Sequence, residues 1–212
     1  FLCLGAPGGH SHIVQVESYT RFRVLGRTVD DAAGEAFDKV ARTLGLGYPG
    51  GPAVAKAALG GSETAYPLPT PHVEGAYNVS FSGLKTAVLN AVNRARQAGE
   101  EVDVPGMAAS FQWRITEILA EKLLAAARDT GAARICIAGG VGANEALRRK
   151  VQQGAQALGA QVFLPQLSLC GDNAAMVAAQ GYYEFLAGHT AHSNLNGLPT
   201  LGIDDESLDG PR

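Results

Sequence analysis

Residues Arg134–Leu164 read RICIAGGVGANEALRRKVQQGAQALGAQVFL. The run Arg134–Ala138 is short and apolar, and glycines at 139, 140 and 142 end it, which is the pattern of a buried strand closed by a turn. A helix is predicted from Glu145 to about Leu158, then a second strand near Gln161–Leu164. Strand, helix and strand with a crossover of this length imply parallel pairing, so the fold class is α/β. Past Leu169-Cys170-Gly171 a further helix is predicted from Asp172 or Asn173 to Phe185.

Upstream, Met107–Arg128 carries Phe111, Ile115, Ile118, Leu119, Leu123 and Ala126 at helical spacing and is expected to be the longest helix. Another helix is predicted from Ser82 or Gly83 to about Gln97. Residues 48–76 are rich in Gly and Pro and read as loop around one short helix near 53–58. Ala33, Ala36, Phe37, Val40, Ala41 and Leu44 form a helical stripe, preceded by Thr28-Val-Asp-Asp31 as a capping box and stopped by Gly45 and Gly47. Asp31, Glu35 and Lys39 fall at four-residue steps, as do Asp38 and Arg42. The opening reads as strand, glycine turn and strand over Phe1–Leu4, Gly5–Gly9 and Ile13–Val16, with a further strand in Tyr19–Leu25. From His189 onward there is no strong periodicity, and 189–212 is expected to be a tail.

The 212 residues leave room for one generous domain or two small ones. With 46% hydrophobic and 17% charged residues, the composition is that of a soluble globular protein, and no apolar run approaches the roughly 20 residues of a membrane helix. No secretory pattern opens the chain. Three cysteines without CxxC spacing argue against a disulfide framework and fit a reducing, cytoplasmic setting. A net charge of −3 gives no bulk attraction to nucleic acid, so such a partner needs a local basic patch. Phe1 opens the chain inside an apolar run, and an upstream domain is expected.

Three glycine-bearing turns are expected after apolar strands: Gly8-Gly9-His10, Gly50-Gly51, and Gly139-Gly140 with Gly142. Successive glycines let backbone N–H groups gather around an anion, and three such turns in one α/β chain favour a nucleotide site over plain turns. Neither a P-loop nor GxGxxG is present. Asp172 sits at a strand-to-helix junction, where an N-cap is the commoner fate and a metal ligand the functional one. His10 and His12 alternate on one extended segment and are expected on one side, with a structural or substrate-facing role for His10 and none for His12. Asp38 and Glu35 read first as solvated helix charges. Arg94, Arg96, Arg114, Arg148, Arg149 and Lys150 could meet an RNA backbone, although such runs are usually solvated faces.

Four segments carry a resemblance: TVDDAAGEAFDKVARTLGLGYPGGP at Thr28–Pro52, YNVSFSGLKTAV at Tyr77–Val88, AGGVGANEAL at Ala138–Leu147 and CGDNAA at Cys170–Ala175. In order and spacing they resemble the TsaD-type family, relatives of the Kae/OSGEP proteins, over about residues 2–186. The resemblance implies a lobe of the actin, Hsp70 and sugar-kinase (ASKHA) fold, a mixed sheet with flanking helices. Residues 1–188 would be the second lobe, with a helical insertion at about 53–130 and the first lobe outside this chain. It implies transfer of threonylcarbamoyl from threonylcarbamoyl-AMP to N6 of the adenosine beside the anticodon in ANN-decoding tRNAs. Substrate contacts carry over onto Gly5, Ala6, Pro7, Gly8, Gly9, Asp38, Gly51 and Asn144, and a metal ligand onto Asp172. One divalent metal is implied, iron ahead of zinc, its other ligands a histidine pair four apart that this chain lacks. The partners implied are tRNA, a paralogous TsaB-like subunit and a small TsaE-like ATPase, with no membrane. Two loops depart from the family pattern: SGGHT is here Pro7-Gly-Gly-His-Ser11, and CTDN is Cys170-Gly-Asp-Asn173. Pro7 removes a backbone donor. A non-catalytic nucleotide-binding scaffold and an ATPase or kinase of the same superfamily are the alternative readings.

Overall fold

The computed structural model describes residues 1–191, 196 and 202–204, so most of the expected tail lies outside the described residues. Five strands form one sheet: β1 (Leu2–Gly5), β2 (His12–Val16), β3 (Phe22–Arg27), β4 (Arg134–Ala138) and β5 (Gln161–Phe163), in the order β3-β2-β1-β4-β5. The β1-β2-β3 meander is antiparallel, whereas β4 pairs parallel to β1 and β5 parallel to β4. The predicted β4–β5 parallel pairing is therefore present, and the sheet is mixed. The pairing of β1 with β4 joins two strands about 130 residues apart in the chain, and the sequence pattern did not indicate it.

Helices α1 (Ala33–Thr43), α2 (Gly50–Ala57), α3 (Ser82–Ala98) and α4 (Val104–Thr130) lie between β3 and β4; α5 (Glu145–Ala157) connects β4 to β5, and α6 (Ala174–Leu186) follows. Leu2, Leu4, Ile135 and Ile137 point from β1 and β4 into a core completed by the α1 and α4 stripes, and all six stripe residues expected on α4 are buried. Phe37 of α1 meets Phe111 of α4 edge-to-face, with ring centroids 5.3 Å apart. On the other face of the sheet Cys3 and Cys136 are register partners across β1 and β4. The hydrogen bond between the two thiols raises the Cys3 pKa and lowers that of Cys136.

Several boundaries differ from expectation for local reasons. The third strand begins at Phe22, not Tyr19, because the Ser18 hydroxyl accepts the amides of Thr20 and Arg21 and folds that segment into a turn. α4 starts three residues before Met107: Asp103 caps it by accepting from Gly106 N at 3.0 Å, and Pro105 is tolerated in the first turn. α2 starts at Gly50, ahead of the expected 53, after a cis Tyr48–Pro49 bond. Gly50-Gly51 is thus the first turn of a helix that follows another helix, not a turn after a strand.

The predicted capping box at Thr28–Asp31 does not cap α1. Thr28 donates to the Asp31 carbonyl, and the amide of Ala33 is satisfied by the buried Ser11 hydroxyl at 3.0 Å, from β2's leading loop. The two aspartates act at longer range. Asp30 accepts from Phe81 N at 2.8 Å and from the Ser80 hydroxyl, fixing the start of α3. Asp31 accepts from Lys39 at 2.8 Å and Lys85 at 3.1 Å, joining α1 to α3. The Glu35–Lys39 step also forms, at 2.7 Å.

Burial of Asp31 acts to raise its pKa, but the hydrogen bonds from Lys39 and Lys85 outweigh it and hold the carboxyl below its ordinary value. A depressed carboxylate stabilises the fold above its unfolded pKa, about 4, and that contribution disappears as pH falls through the lower folded value. Urea denaturation between about pH 5 and pH 2 is expected to show an acid limb that flattens in Asp31→Asn; an unchanged limb would mean the pair carries no linkage. Phe111→Ala should cost about 3–5 kcal/mol in the same assay at neutral pH.

Candidate functional site

The parallel pairing of β1 and β4 brings their C-terminal ends side by side, so the turns that follow each strand are neighbours. The two turns are stitched by backbone: Ala6 N donates to Ala138 O at 2.9 Å, and Val141 N donates to Ala6 O at 3.1 Å. Gly139 makes the contact possible. Its φ is +88°, and a Cβ there would lie 2.5 Å from the Ala6 carbonyl carbon and the Pro7 nitrogen. The start of α1 closes in from the other side, where a Cβ on Gly34 would come within 2.9 Å of Gly8 Cα. Glycine at 139 and at 34 is the physical reason the loops and the start of α1 can nest so closely.

Within this junction the expected substrate residues have different surroundings. Gly5 ends β1 and pairs with both His12 and Ala138. Ala6 is fully buried, and its amide and carbonyl are both spent on the loop junction. Pro7 offers no donor. Gly8 and Gly9 are exposed, and nothing among the described residues stands within 4 Å of where their side chains would be, so this turn presents open backbone. His10 is exposed, and its ring stacks on that of His12 with centroids 5.7 Å apart, so the two do share a side. Burial first, then the neighbouring His10 and Arg27, lower the His12 pKa and favour its neutral form.

Asp38 lies midway along α1 and accepts from Gly50 N at 2.7 Å, which makes it the cap of α2 rather than the partner of Arg42. A Cβ on Gly50 would meet Asp38 Cα at 2.5 Å, so α1 and α2 touch through this glycine. Gly51, half-buried, is the next residue of α2. Asn144 caps α5: its Oδ1 accepts from Leu147 N at 3.1 Å, and its Nδ2 donates to Gln112 Oε1 of α4 at 2.9 Å.

Asp172 is exposed, and it is Asn173 that caps α6, accepting from Met176 N at 2.9 Å. The carboxylate of Asp172 has no hydrogen bond or ion pair with another described residue. Arg148 connects its segment to the site. The guanidinium donates to Gly142 O at 2.6 Å, to Pro165 O at 2.9 Å and to Cys170 Sγ at 3.2 Å. Arg148 is thus a clamp between the 139–144 turn and the chain entering Asp172, not part of a solvated basic face. Lys150 pairs with Glu117 and, with Arg114, covers the Trp113 ring. Only long-range contacts reveal the roles of Gln112 and Arg148, and neither follows from spacing.

No group of three His, Cys, Asp or Glu side chains that could hold a metal occurs among the described residues. A free exposed carboxylate suits a divalent cation as one oxygen donor, so Asp172 fits a metal site only as a single ligand. A separate groove of about 610 Å³, lined by residues that include Tyr66, Leu68, Asn90, Arg94 and Gln97, involves none of the loop residues above.

Residues 2–179 match the family described as TsaD: tRNA N6-adenosine threonylcarbamoyltransferase. A protein of that name from Desulfitobacterium hafniense (strain Y51) is 50% identical over 203 residues, covering 95% of this chain and 60% of the relative. Its counterpart in Clostridioides difficile (strain 630) is 45% identical, covering 96% of this chain and 61% of the relative. The chain therefore spans about 60% of the length of the curated relatives it matches. Among solved structures, full-length HypF in its phosphate- and nucleotide-bound form gives a TM-score of 0.63 at 13% identity, covering 88% of this chain and 33% of HypF. HypF from T. kodakarensis gives 0.57 at 20% identity, covering 74% of this chain and 20% of that one. At such identities the likeness speaks to fold alone, an α/β lobe of the ASKHA type with a mixed sheet and flanking helices.

Gly139→Ala tests the loop junction. The unfavourable φ alone costs on the order of 1–3 kcal/mol, and the backbone contact adds to it. Urea denaturation should show that loss, and hydrogen exchange at Val141 N–H should accelerate as its bond to Ala6 opens; an unchanged amide would show that the junction does not need glycine.

Proposed function

The chain belongs to the TsaD family of tRNA N6-adenosine threonylcarbamoyltransferases, and on that membership we propose that it supplies the adenylate-holding part of such a transferase. The substrates are threonylcarbamoyl-AMP and an ANN-decoding tRNA. The N6 amine of the adenosine beside the anticodon attacks the carbamoyl carbon, the bond from that carbon to the phosphate oxygen breaks, AMP leaves, and the amine proton passes to solvent. An acyl-adenylate is already activated, so the protein need only hold the reacting atoms together and stabilise charge on oxygen. The carrying observation is the stitched pair of turns at the ends of β1 and β4, with the open backbone of Gly8 and Gly9 at its edge.

In this reading the Gly5–Gly9 turn faces the phosphate and carbamoyl end through Gly8 and Gly9, whose exposed backbone suits an anion. Asp38, with Gly51 beside it, takes the ribose hydroxyls: one carboxylate oxygen stays on the Gly50 amide and the other remains for the ligand. Asn144 contributes a hydrogen bond to the nucleotide. Asp172 is one ligand of a divalent metal, with iron the expected ion, which when bound would polarise an oxygen near the reacting carbon. Residues 1–188 act as one lobe with its helical insertion, and the activity belongs to the longer protein, in the cytoplasm with a TsaB-like subunit and a TsaE-like ATPase. The names of the relatives support a transferase over a kinase of the same fold. Among the described residues no helix is long and apolar enough to cross a membrane.

AMP binding by the protein at its full natural length, measured by calorimetry, tests the site. Asp38→Asn keeps an acceptor for Gly50 N while removing the charge. It is expected to leave the melting temperature nearly unchanged and to weaken AMP by about 10–100-fold, the range of a hydrogen bond to a charged group. Undiminished AMP affinity would remove Asp38 from the site, and absence of any AMP binding by the unsubstituted protein would overturn the functional reading.

A further inference from the structure

The hydrogen bonds around Asn144 fix the direction of two amides in turn. The Leu147 amide can only donate, so the Asn144 group facing it is Oδ1, and Nδ2 must point to α4. Gln112 therefore offers Oε1 to Nδ2, at 2.9 Å, and its own Nε2 is turned away from Asn144. This order holds however the two amides are drawn, because it begins from a backbone N–H. Both side chains are half-buried. Gln112 Nε2 has no hydrogen-bond partner among the described residues, and Gln112 Oε1 retains a second lone pair.

A half-buried amide with a solvent-accessible donor and a spare acceptor is a hydrogen-bonding edge available to a ligand. Adenine presents the complementary edge, an exocyclic amine beside a ring nitrogen, and carboxamides read it through both atoms. Gln112 is joined directly to Asn144, the residue at the end of the 139–144 turn. Resting on the functional reading above, we propose that Gln112 is the base-recognising residue of the adenylate site. Its Nε2 donates to a ring nitrogen of adenine, and its Oε1 accepts from the adenine N6 amine while still holding Asn144. A purine with oxygen at position 6 would set that oxygen against Oε1, acceptor against acceptor, and be rejected.

The test compares AMP with IMP, which carries oxygen at position 6, by calorimetry on the protein at its full natural length. The unsubstituted protein should prefer AMP. Gln112→Leu should weaken AMP by roughly tenfold and abolish most of that preference. Gln112→Glu keeps an oxygen for Asn144 and nearly the same volume but loses the Nε2 donor, so it should retain the melting temperature and still lose AMP affinity. If Gln112→Glu binds AMP with the affinity and selectivity of the unsubstituted protein, Gln112 only positions Asn144 and the proposal fails. It fails too if Gln112→Leu leaves the AMP-to-IMP ratio unchanged. A protein that binds no AMP at all sinks the functional reading itself, and is thereby distinguished from failure of Gln112 alone.

Discussion

The parallel ladder between β1 and β4 is the constraint on which the candidate site depends. Parallel strands end at the same edge of a sheet, so whatever follows each of them is forced into one crevice. Here both are followed by glycine-bearing turns. The backbone bonds between Ala6, Ala138 and Val141 then convert simple proximity into a fixed junction. Because the distance between the turns is set by Gly139, where a side chain would strike the Ala6 and Pro7 backbone, the junction has little room to adjust. The departure at Pro7 fits this arrangement: the donor that proline lacks is on the inner side of a turn whose open face is Gly8 and Gly9.

Three of the helices, α1, α2 and α3, are capped from a distance, whereas α4 and α5 carry local caps. Ser11 caps α1, Asp30 holds the start of α3, and Asp38 caps α2, each with a side chain from outside the helix it serves. Local caps would stabilise each helix independently. Remote caps instead make the start of one helix depend on the position of another element, so α1, α2, α3 and the sheet are locked in mutual register. Asp31 adds to this by holding Lys39 and Lys85 together across α1 and α3. For a site assembled from loops far apart in sequence, such coupling supplies the pre-organisation that binding energy would otherwise have to provide.

What the sequence made legible follows the range of the interactions involved. Periodicity is local, so the stripes of α1 and α4 and the β4-α5-β5 unit could be read directly, as could the i,i+4 contact of Glu35 with Lys39. The Thr28–Asp31 pattern looked like a local cap and was not one, because Ser11, 22 residues before Ala33, satisfies the amide instead. The Gly50-Gly51 pair looked like a strand-ending turn. It is the start of a helix, because glycine there answers to the close approach of Asp38, which no window of neighbouring residues contains. Arg148 read as one of three adjacent cations, yet its hydrogen bonds run to Gly142, Pro165 and Cys170. The candidate substrate and metal residues came from resemblance rather than from pattern, since a lone Asp or Asn looks the same whether it caps a helix or meets a ligand.

Asp38 and Asn144 show why that ambiguity is physical and not merely one of reading. Each completes a helix end, Asp38 that of α2 and Asn144 that of α5. A carboxylate has two oxygens, and an amide has two donor hydrogens and two lone pairs, so one atom or lone pair can satisfy the fold while another remains for a ligand. Such a structural bond would favour the proposed ligand contact, because it removes rotamer freedom that binding would otherwise have to freeze. Asp172 is the opposite case. Asn173 takes over the cap of α6, which leaves the Asp172 carboxylate uncommitted among the described residues. A group meant for a cation gains from such a division, since a capping hydrogen bond would compete with the metal for the same oxygen lone pairs. On the proposed assignment, capping and ligand contact are combined in one side chain at Asp38 and Asn144 and divided between Asn173 and Asp172.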